Sequence, residues 1–215
     1  MKIGIIGSGI VGRVLATAFL NENNEVMLGT RDVSKDEVVK WKEENPSGKT
    51  GLFSDTAAFG DVIVLAVAGT ATEEALEQSG AENLKGKVVI DATNPIAKEA
   101  LTNGVLKFFT SLDDSLMERL QKAFPDARFV KAFSSVGNGQ FYKPQYKEGR
   151  PTMFICGNDS GAKHTVTDIL NAFGWETADM GTVEAARAIE PLCMLWCIPG
   201  FLNNQWTHAF KLLKA

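Results

Sequence analysis

The segment KIGIIGSGIVG at positions 2–12 constrains this chain more than any other. Gly7-Ser8-Gly9-Ile10-Val11-Gly12 is a G-x-G-x-x-G pattern. It follows an apolar run, Lys2–Ile6, and opens a helical pattern, Ile10–Leu20; a second apolar run, Glu25–Gly29, comes next. Three spaced glycines alone are a weak signal, but within a strand–helix–strand unit each has a physical role. Gly7 permits the tight turn. Gly9 lets the backbone approach a pyrophosphate, and Gly12 lets helix and strand pack closely. The helix start then offers unpaired N–H groups and the positive end of its dipole. The expectation is a dinucleotide site outside the carboxyl ends of parallel strands.

The rest of the chain continues that pattern. Apolar runs at Lys2–Ile6, Glu25–Gly29, Asp61–Val67, Lys87–Ala92, Arg128–Ala132, Thr152–Cys156 and Glu176–Ala178 alternate with helical spacing, and a short extra strand is placed near Gly51–Phe53. Several runs are unbroken Val/Ile stretches, as strands covered on both faces require. The fold class read from this is α/β: a Rossmann-like, doubly wound, mostly parallel sheet of about eight strands with a short C-terminal helical tail. Ser34–Glu37 and Thr70–Glu73 have the S/T-x-x-E form of a capping box. Helices are also predicted over Asp113–Phe124 and over Gly161–Phe173, the latter closed by Gly174. From Thr182 the chain reads as helix, with a second helix after Gly200. The domain reading is a nucleotide-binding domain at 1–180 and a helical segment at 181–215, packed on it or on a second subunit. A chain of 215 residues leaves no room for a separate substrate domain of ~150 residues. Ser134–Arg150 shows neither period, and two readings stay open: a functional loop or a disordered insertion.

The end of the second strand selects the dinucleotide. NAD calls for an Asp or Glu there. This chain has Gly29-Thr30-Arg31, with Lys35 close behind. A neutral donor and two cations suit a 2′-phosphate, so NADP(H) is the expected cofactor. Asp32 is the counter-signal, since it could turn to a ribose diol. After the fourth strand, the small residues Val67 and Ala68 leave room for a ribose. Asn94, held extended by Pro95, has two readings: an amide aimed at the cofactor, or a turn residue bonded to its own backbone. Phe133, after Ala132, has core as its commoner reading.

Other signals mostly exclude. A net charge of −4 argues against non-specific nucleic-acid binding. Three cysteines and two distant histidines give neither a disulfide framework nor a zinc spacing, so no metal site is expected and the protein reads as cytoplasmic. The most apolar run, Pro191–Leu202, is shorter than the ~20 residues of a membrane span and carries Pro199-Gly200. It reads as a buried helix or, with Trp196, Phe201 and Trp206, as a subunit interface, making a homodimer the expected assembly. No catalytic residue is singled out, although Lys98, Lys131 and Tyr142 are potential proton donors. Hydride transfer between two redox molecules needs alignment more than acid–base help.

The segments GSGIVG, GTRD with Lys35, IDATNP, KAFSS and FICGNDSGAK together resemble the NADPH-dependent coenzyme F-420 oxidoreductase family. The stretches FICGNDSGAKHTVTDIL and DMGTVEAARAIEPLCMLW are also similar to the NADPH-binding domain of the six-transmembrane-epithelial-antigen-type metalloreductases. The resemblance spans nearly the whole chain. It implies that Ser8, Gly9, Ile10 and Val11 hold the pyrophosphate and that Thr30, Arg31 and Lys35 hold the 2′-phosphate. It implies that Val67, Ala68, Asn94, Pro95, Ala132 and Phe133 surround the ribose and nicotinamide. The departures are on the acceptor side. The F-420 enzymes carry Pro-Trp where this chain has Ala68-Gly69, the metalloreductases carry Asn where it has Ser134, and their membrane helices are absent from it. The expected function is hydride transfer between NADPH and a flavin or deazaflavin, with coenzyme F-420, FMN or FAD as the small-molecule acceptor. Two rival readings are a β-hydroxyacid or imino-acid reductase and a non-catalytic NADPH-sensing module.

Overall fold

The unbroken Val/Ile runs become the centre of one parallel sheet. The computed structural model describes residues 1–213. In chain order the elements are β1 (Lys2–Ile6), α1 (Ile10–Asn21), β2 (Glu25–Thr30), α2 (Asp36–Glu44), β3 (Lys49–Leu52), α3 (Phe53–Phe59), β4 (Val62–Leu65), α4 (Thr72–Ser79), α5 (Ala81–Leu84), β5 (Val88–Asp91), α6 (Leu116–Ala123), β6 (Arg128–Lys131), β7 (Thr152–Ile155), α7 (Ser160–Ala172), β8 (Glu176–Asp179) and α8 (Ala186–Asn203). Six strands pair in the order β3-β2-β1-β4-β5-β6, every pair parallel. The expected eight strands therefore form, but as six plus two. β7 and β8 make a separate parallel pair, bridged to β6 by an antiparallel contact between Lys131 and Cys156.

Alternate residues of each strand serve opposite faces. Ile3, Ile5, Val64, Ile90 and Val130 meet Leu15 and Phe19 of α1, Val166 and Leu170 of α7, and Phe133, Phe141 and Phe173. Ile6, Ile63, Leu65, Val89 and Phe129 meet α3, α4, α6 and Ile189 of α8. Both faces are thus covered, which is why the strands needed no polar side.

Helix starts differ from expectation. Neither Ser34–Glu37 nor Thr70–Glu73 forms a capping box. Ser34 gives its N–H and O–H to Asp32 Oδ1 (2.9 and 2.6 Å), and α2 starts two residues later. Thr72 donates to the Gly69 carbonyl (2.9 Å) and is itself the first residue of α4. The capping box forms instead at Ser115 and Glu118, where Glu118 N–H donates to Ser115 Oγ (3.2 Å) and Ser115 N–H to Glu118 Oε2 (3.0 Å). Glu118 also pairs with Arg187 of α8 (2.6 Å), and this bond, with that to Ser115, holds its pKa below the ordinary value. Ser115→Ala is expected to destabilise the protein by about 1 kcal/mol, read as a fall of about 2–4 °C in thermal denaturation.

The C-terminal region is one helix, not two. α8 runs through both Pro191 and Pro199 and ends at Asn204, which takes the left-handed conformation (φ 53°). Each proline removes one helical donor. The buried side chains Ile189, Cys193 and Trp196 pin the helix down on either side. Gly200 lies within the helix, and its missing side chain makes room for the Trp206 ring, which a Cβ there would meet at 2.2 Å. The following residues return to the β7 edge, where Phe210 O accepts from Thr152 N–H (2.9 Å) and Thr152 Oγ1 accepts from Leu212 N–H (3.0 Å). The last two residues of the 181–215 segment lie outside the described residues. The apolar stretch is therefore longer than the twelve residues read from sequence, and long and apolar enough to cross a membrane by composition alone. Here it packs on the sheet and carries the buried Glu190.

Ser134–Arg150 is a pinned loop, which removes the reading as a disordered insertion. Phe141 O accepts from Trp175 Nε1 (2.9 Å), and Lys143 N–H donates to Phe173 O (2.7 Å). Lys143 and Tyr142 both reach Glu22 at the end of α1 (2.7 Å each) and hold its pKa down.

Candidate functional site

Strand register sets the site. Gly29, Ile6, Leu65, Asp91 and Lys131 form one row across the carboxyl edge of the sheet. The ladder then extends one residue further, through Gly7, Ala66, Ala92 and Ala132. β1 is flanked by β2 on one side and β4 on the other, so the chain leaves the sheet in opposite senses there and a crevice opens.

The glycines line that crevice for different reasons. Gly7 has φ 124°, and a Cβ on it would lie 2.4 Å from Ala66 O. A Cβ on Gly12 would lie 1.9 Å from Gly7 O, so this glycine sets the helix-to-strand approach. Gly9 meets nothing within 4 Å of an added Cβ and has φ −65°, which any residue adopts. Nothing inside the fold requires a glycine at position 9; a bare backbone there keeps the start of α1 approachable from the cleft. Arg13 fixes this loop by donating to Ser8 O (2.7 Å), and Ser8 Oγ donates to Thr30 Oγ1 (3.1 Å).

A cleft of about 280 Å³ brings together Gly7, Ser8, Gly9, Thr30, Arg31, Lys35, Val67 and Ala68. Phe53, Glu74 and Gln78 also line it, which the sequence reading missed because α3 and α4 reach it only through tertiary packing. Thr30 is buried, and its hydroxyl also donates to Asp32 O (3.2 Å) and accepts from Asp32 N–H (3.3 Å). It thus links the loops after β1 and β2. Asp32 is held by Ser34, and those hydrogen bonds lower its pKa. Among the described residues the side chains of Arg31 and Lys35 make no hydrogen bond or ion pair, though the charge of Lys35 helps to lower the pKa of Asp32. The cleft therefore has two uncommitted cations where a ribose-binding carboxylate would stand in an NAD site. Together with the open Gly9 and the free N–H groups of α1, this donor set fits the phosphates of NADP(H).

Other candidates fall elsewhere. Ile10 is largely exposed and faces a neighbouring groove of about 430 Å³ shared with Arg13, Val14, Trp41 and Tyr142. Val11 packs on the core and Gly12 is buried, so these three bring only backbone to the helix start. Asn94 does not bond to its own backbone through its side chain. Its Nδ2 donates across to Ser134 O (2.7 Å), while its own carbonyl accepts from Ile96 N–H around the buried Pro95 (2.8 Å). The loops after β4 and β5 touch closely enough that a Cβ on Gly69 would lie 2.0 Å from Asn94 O. Ala132 and Phe133 are corrected: their side chains are in the core, not around the crevice. Phe133 takes a left-handed φ of 62°, and its ring packs against Phe141 (5.3 Å) and Phe173 (6.0 Å).

Lys131 is not a free proton donor. Its Nζ is fully buried, 2.6 Å from Asp91, 2.9 Å from Glu190 and 3.0 Å from Thr93 O. Burial alone would lower its pKa, but the two carboxylates outweigh burial and hold it above the ordinary lysine value. Glu190 also accepts the N–H groups of Leu116 and Met117 at the start of α6 (3.0 Å each). The sequence reading missed Glu190, although a lone acid in the apolar run AIEPLCMLW was the available signal. Of the other two, Tyr142 is committed to Glu22, and Lys98 lines a separate groove with Phe108, Phe109 and Arg119.

Comparison with known proteins agrees with this geometry. Residues 2–95 match the family described as NADP oxidoreductase, coenzyme F-420-dependent. The chain is 31% identical over 212 residues to metalloreductase STEAP3 of Rattus norvegicus, covering 94% of this chain but only 39% of that protein. It is 29% identical over 205 residues to the F-420-dependent NADP reductase of Methanocaldococcus jannaschii, covering 91% and 90% of the two chains. The crystal structure of a candidate F-420-dependent NADP reductase from Arthrobacter sp. FB24 superimposes with a TM-score of 0.94 and 30% identity over the whole of both chains. That end-to-end agreement, from the glycine loop through α8, means that the chain belongs to the coenzyme F-420-dependent NADP oxidoreductase family and is an NADP-dependent oxidoreductase.

Proposed function

We propose that the protein transfers a hydride between NADPH and a deazaflavin of the coenzyme F-420 type. The observation that carries the cofactor half is the pair of uncommitted cations, Arg31 and Lys35, in the cleft beside Gly7–Gly9. In this reading they hold the 2′-phosphate, and the N–H groups at the start of α1 hold the pyrophosphate. Ser8 and Thr30 shape the pocket between them. The ribose and nicotinamide lie along Val67, Ala68 and Asn94. NADPH supplies the reducing equivalent, and the protein supplies alignment.

The acceptor half rests on the named relatives and on the polarity of the crevice. Asn94 and Ser134, bonded to each other past the strand ends, are not titratable, and Lys131 beside them is locked between two carboxylates. Ketone and imine reductions want a poised proton donor at the substrate. A flavin-type ring takes the hydride without one from the protein, so this end of the crevice suits it better. Loss of NADPH absorbance tests the reading, with F-420, FMN and FAD as separate acceptors. F-420 is expected to accelerate NADPH oxidation most. A protein that binds NADPH but passes hydride to none of the three overturns this proposal and leaves the sensing role.

A further inference from the structure

We infer that Ser134, acting with Asn94, grips the carboxamide of the nicotinamide ring and so fixes which face of the ring meets the acceptor. The inference rests on the NADPH reading above and adds a residue to it.

The two loops after β5 and β6 meet through one hydrogen bond, from Asn94 Nδ2 to Ser134 O (2.7 Å). This bond fixes the amide orientation, because an amide nitrogen must face the carbonyl. Asn94 Oδ1 therefore faces away from Ser134 O. It is buried and has no partner, and so is Ser134 Oγ. Ser134 as a whole is only 3% exposed. A buried polar atom left without a partner costs stability. Most buried polar groups in folded proteins are paired, so two orphans within one contact ask for an explanation.

Their chemistry is complementary to one group. Asn94 Oδ1 is an acceptor without a donor, and Ser134 Oγ–H is a donor without an acceptor. A primary carboxamide presents an NH₂ and a C=O on adjacent positions, and it is the polar substituent of the nicotinamide ring. Both orphans sit just past the row of strand ends, on the side of β4 opposite the phosphate cleft. The ring end of a dinucleotide held at Gly9 runs toward that side. Both atoms are closed off from solvent, so reaching them takes a rotation of the Ser134 hydroxyl and a small shift of the two loops. Neither residue belongs to a strand or helix that would resist this. The backbone just before Ser134 is in the left-handed region at Phe133 (φ 62°), whose ring is anchored in the core. That anchor holds position 134 beside Asn94, in the loop after β6.

The test compares two ligands. NADPH carries the carboxamide; 2′-phospho-ADP-ribose keeps both phosphate sites and lacks the nicotinamide. Ser134→Ala and Asn94→Ala are each expected to weaken NADPH about fivefold and to leave 2′-phospho-ADP-ribose unchanged. Ser134→Thr, which keeps the hydroxyl, should bind NADPH like the wild type. With NADPH deuterated on one face at C4, both alanine variants should also transfer deuterium and hydrogen less selectively. Unchanged NADPH affinity and unchanged selectivity in Ser134→Ala would overturn the inference. So would an equal loss of both ligands, which marks a merely structural role. Wild-type protein that binds 2′-phospho-ADP-ribose but not NADPH would overturn it as well. Failure to bind either ligand would instead bring down the underlying NADP reading.

Discussion

Replacing Lys131 with methionine is expected to lower the melting temperature by about 10 °C. The substitution leaves Asp91 and Glu190 buried together without their shared cation. Removing one partner from a buried ion group costs about 3–5 kcal/mol, and each kcal/mol is worth about 2–4 °C in a chain of this size. The loss is large against a total stability of about 5–15 kcal/mol. Because the carboxylates raise the Lys131 pKa, the stabilisation is fully present below the ordinary lysine value of about 10.4. It is lost only as pH climbs through the higher folded value. Thermal denaturation at several pH values checks this. A variant with wild-type melting and abolished turnover would show instead that Lys131 is a proton donor. The triad also explains how α8 is held: Glu190 ties it both to the end of β6 and to the N–H groups of α6.

Removing Arg31 and Lys35 together is expected to weaken NADPH binding by about a thousandfold while leaving NADH nearly unchanged. A hydrogen bond to a charged group contributes about 1.5–3 kcal/mol, and 1.4 kcal/mol is about tenfold in affinity. Each single substitution to alanine should therefore cost about ten- to a hundredfold. Among the described residues neither side chain makes a hydrogen bond or ion pair, so the variants should melt close to the wild type. Dissociation constants for NADPH and NADH decide the matter. Equal affinities in the wild type, or a matching loss for NADH in the variants, would remove the 2′-phosphate assignment.

The site was legible where its residues are close in sequence. Gly7, Gly9 and Gly12 lie within six residues, and the tight turn at Gly7 and the close packing at Gly12 followed from their spacing. Gly29-Thr30-Arg31 stands at the end of the neighbouring strand, so its place beside the glycines follows from the βαβ unit itself. Local motifs without a tertiary check were less reliable. Ser34 and Thr70 matched the capping-box pattern but were diverted, one to Asp32 and the other into a turn. The box that forms, Ser115–Glu118, is held also by Arg187 from the other end of the chain.

Pattern and spacing by themselves determined the α/β class, the glycine loop at the first strand end and the cation pair at the second, because each depends on contacts within a few residues or one βαβ unit. The tertiary structure alone decided the rest. It split eight strands into six and two, carried α8 through two prolines, turned the Phe133 ring into the core and bonded the following Ser134 to Asn94. It also committed Lys131 to Asp91 and Glu190. A lysine at a strand end reads as a catalyst or as a buried anchor according to what faces it, and its partners here come from distant parts of the chain that only packing brings together.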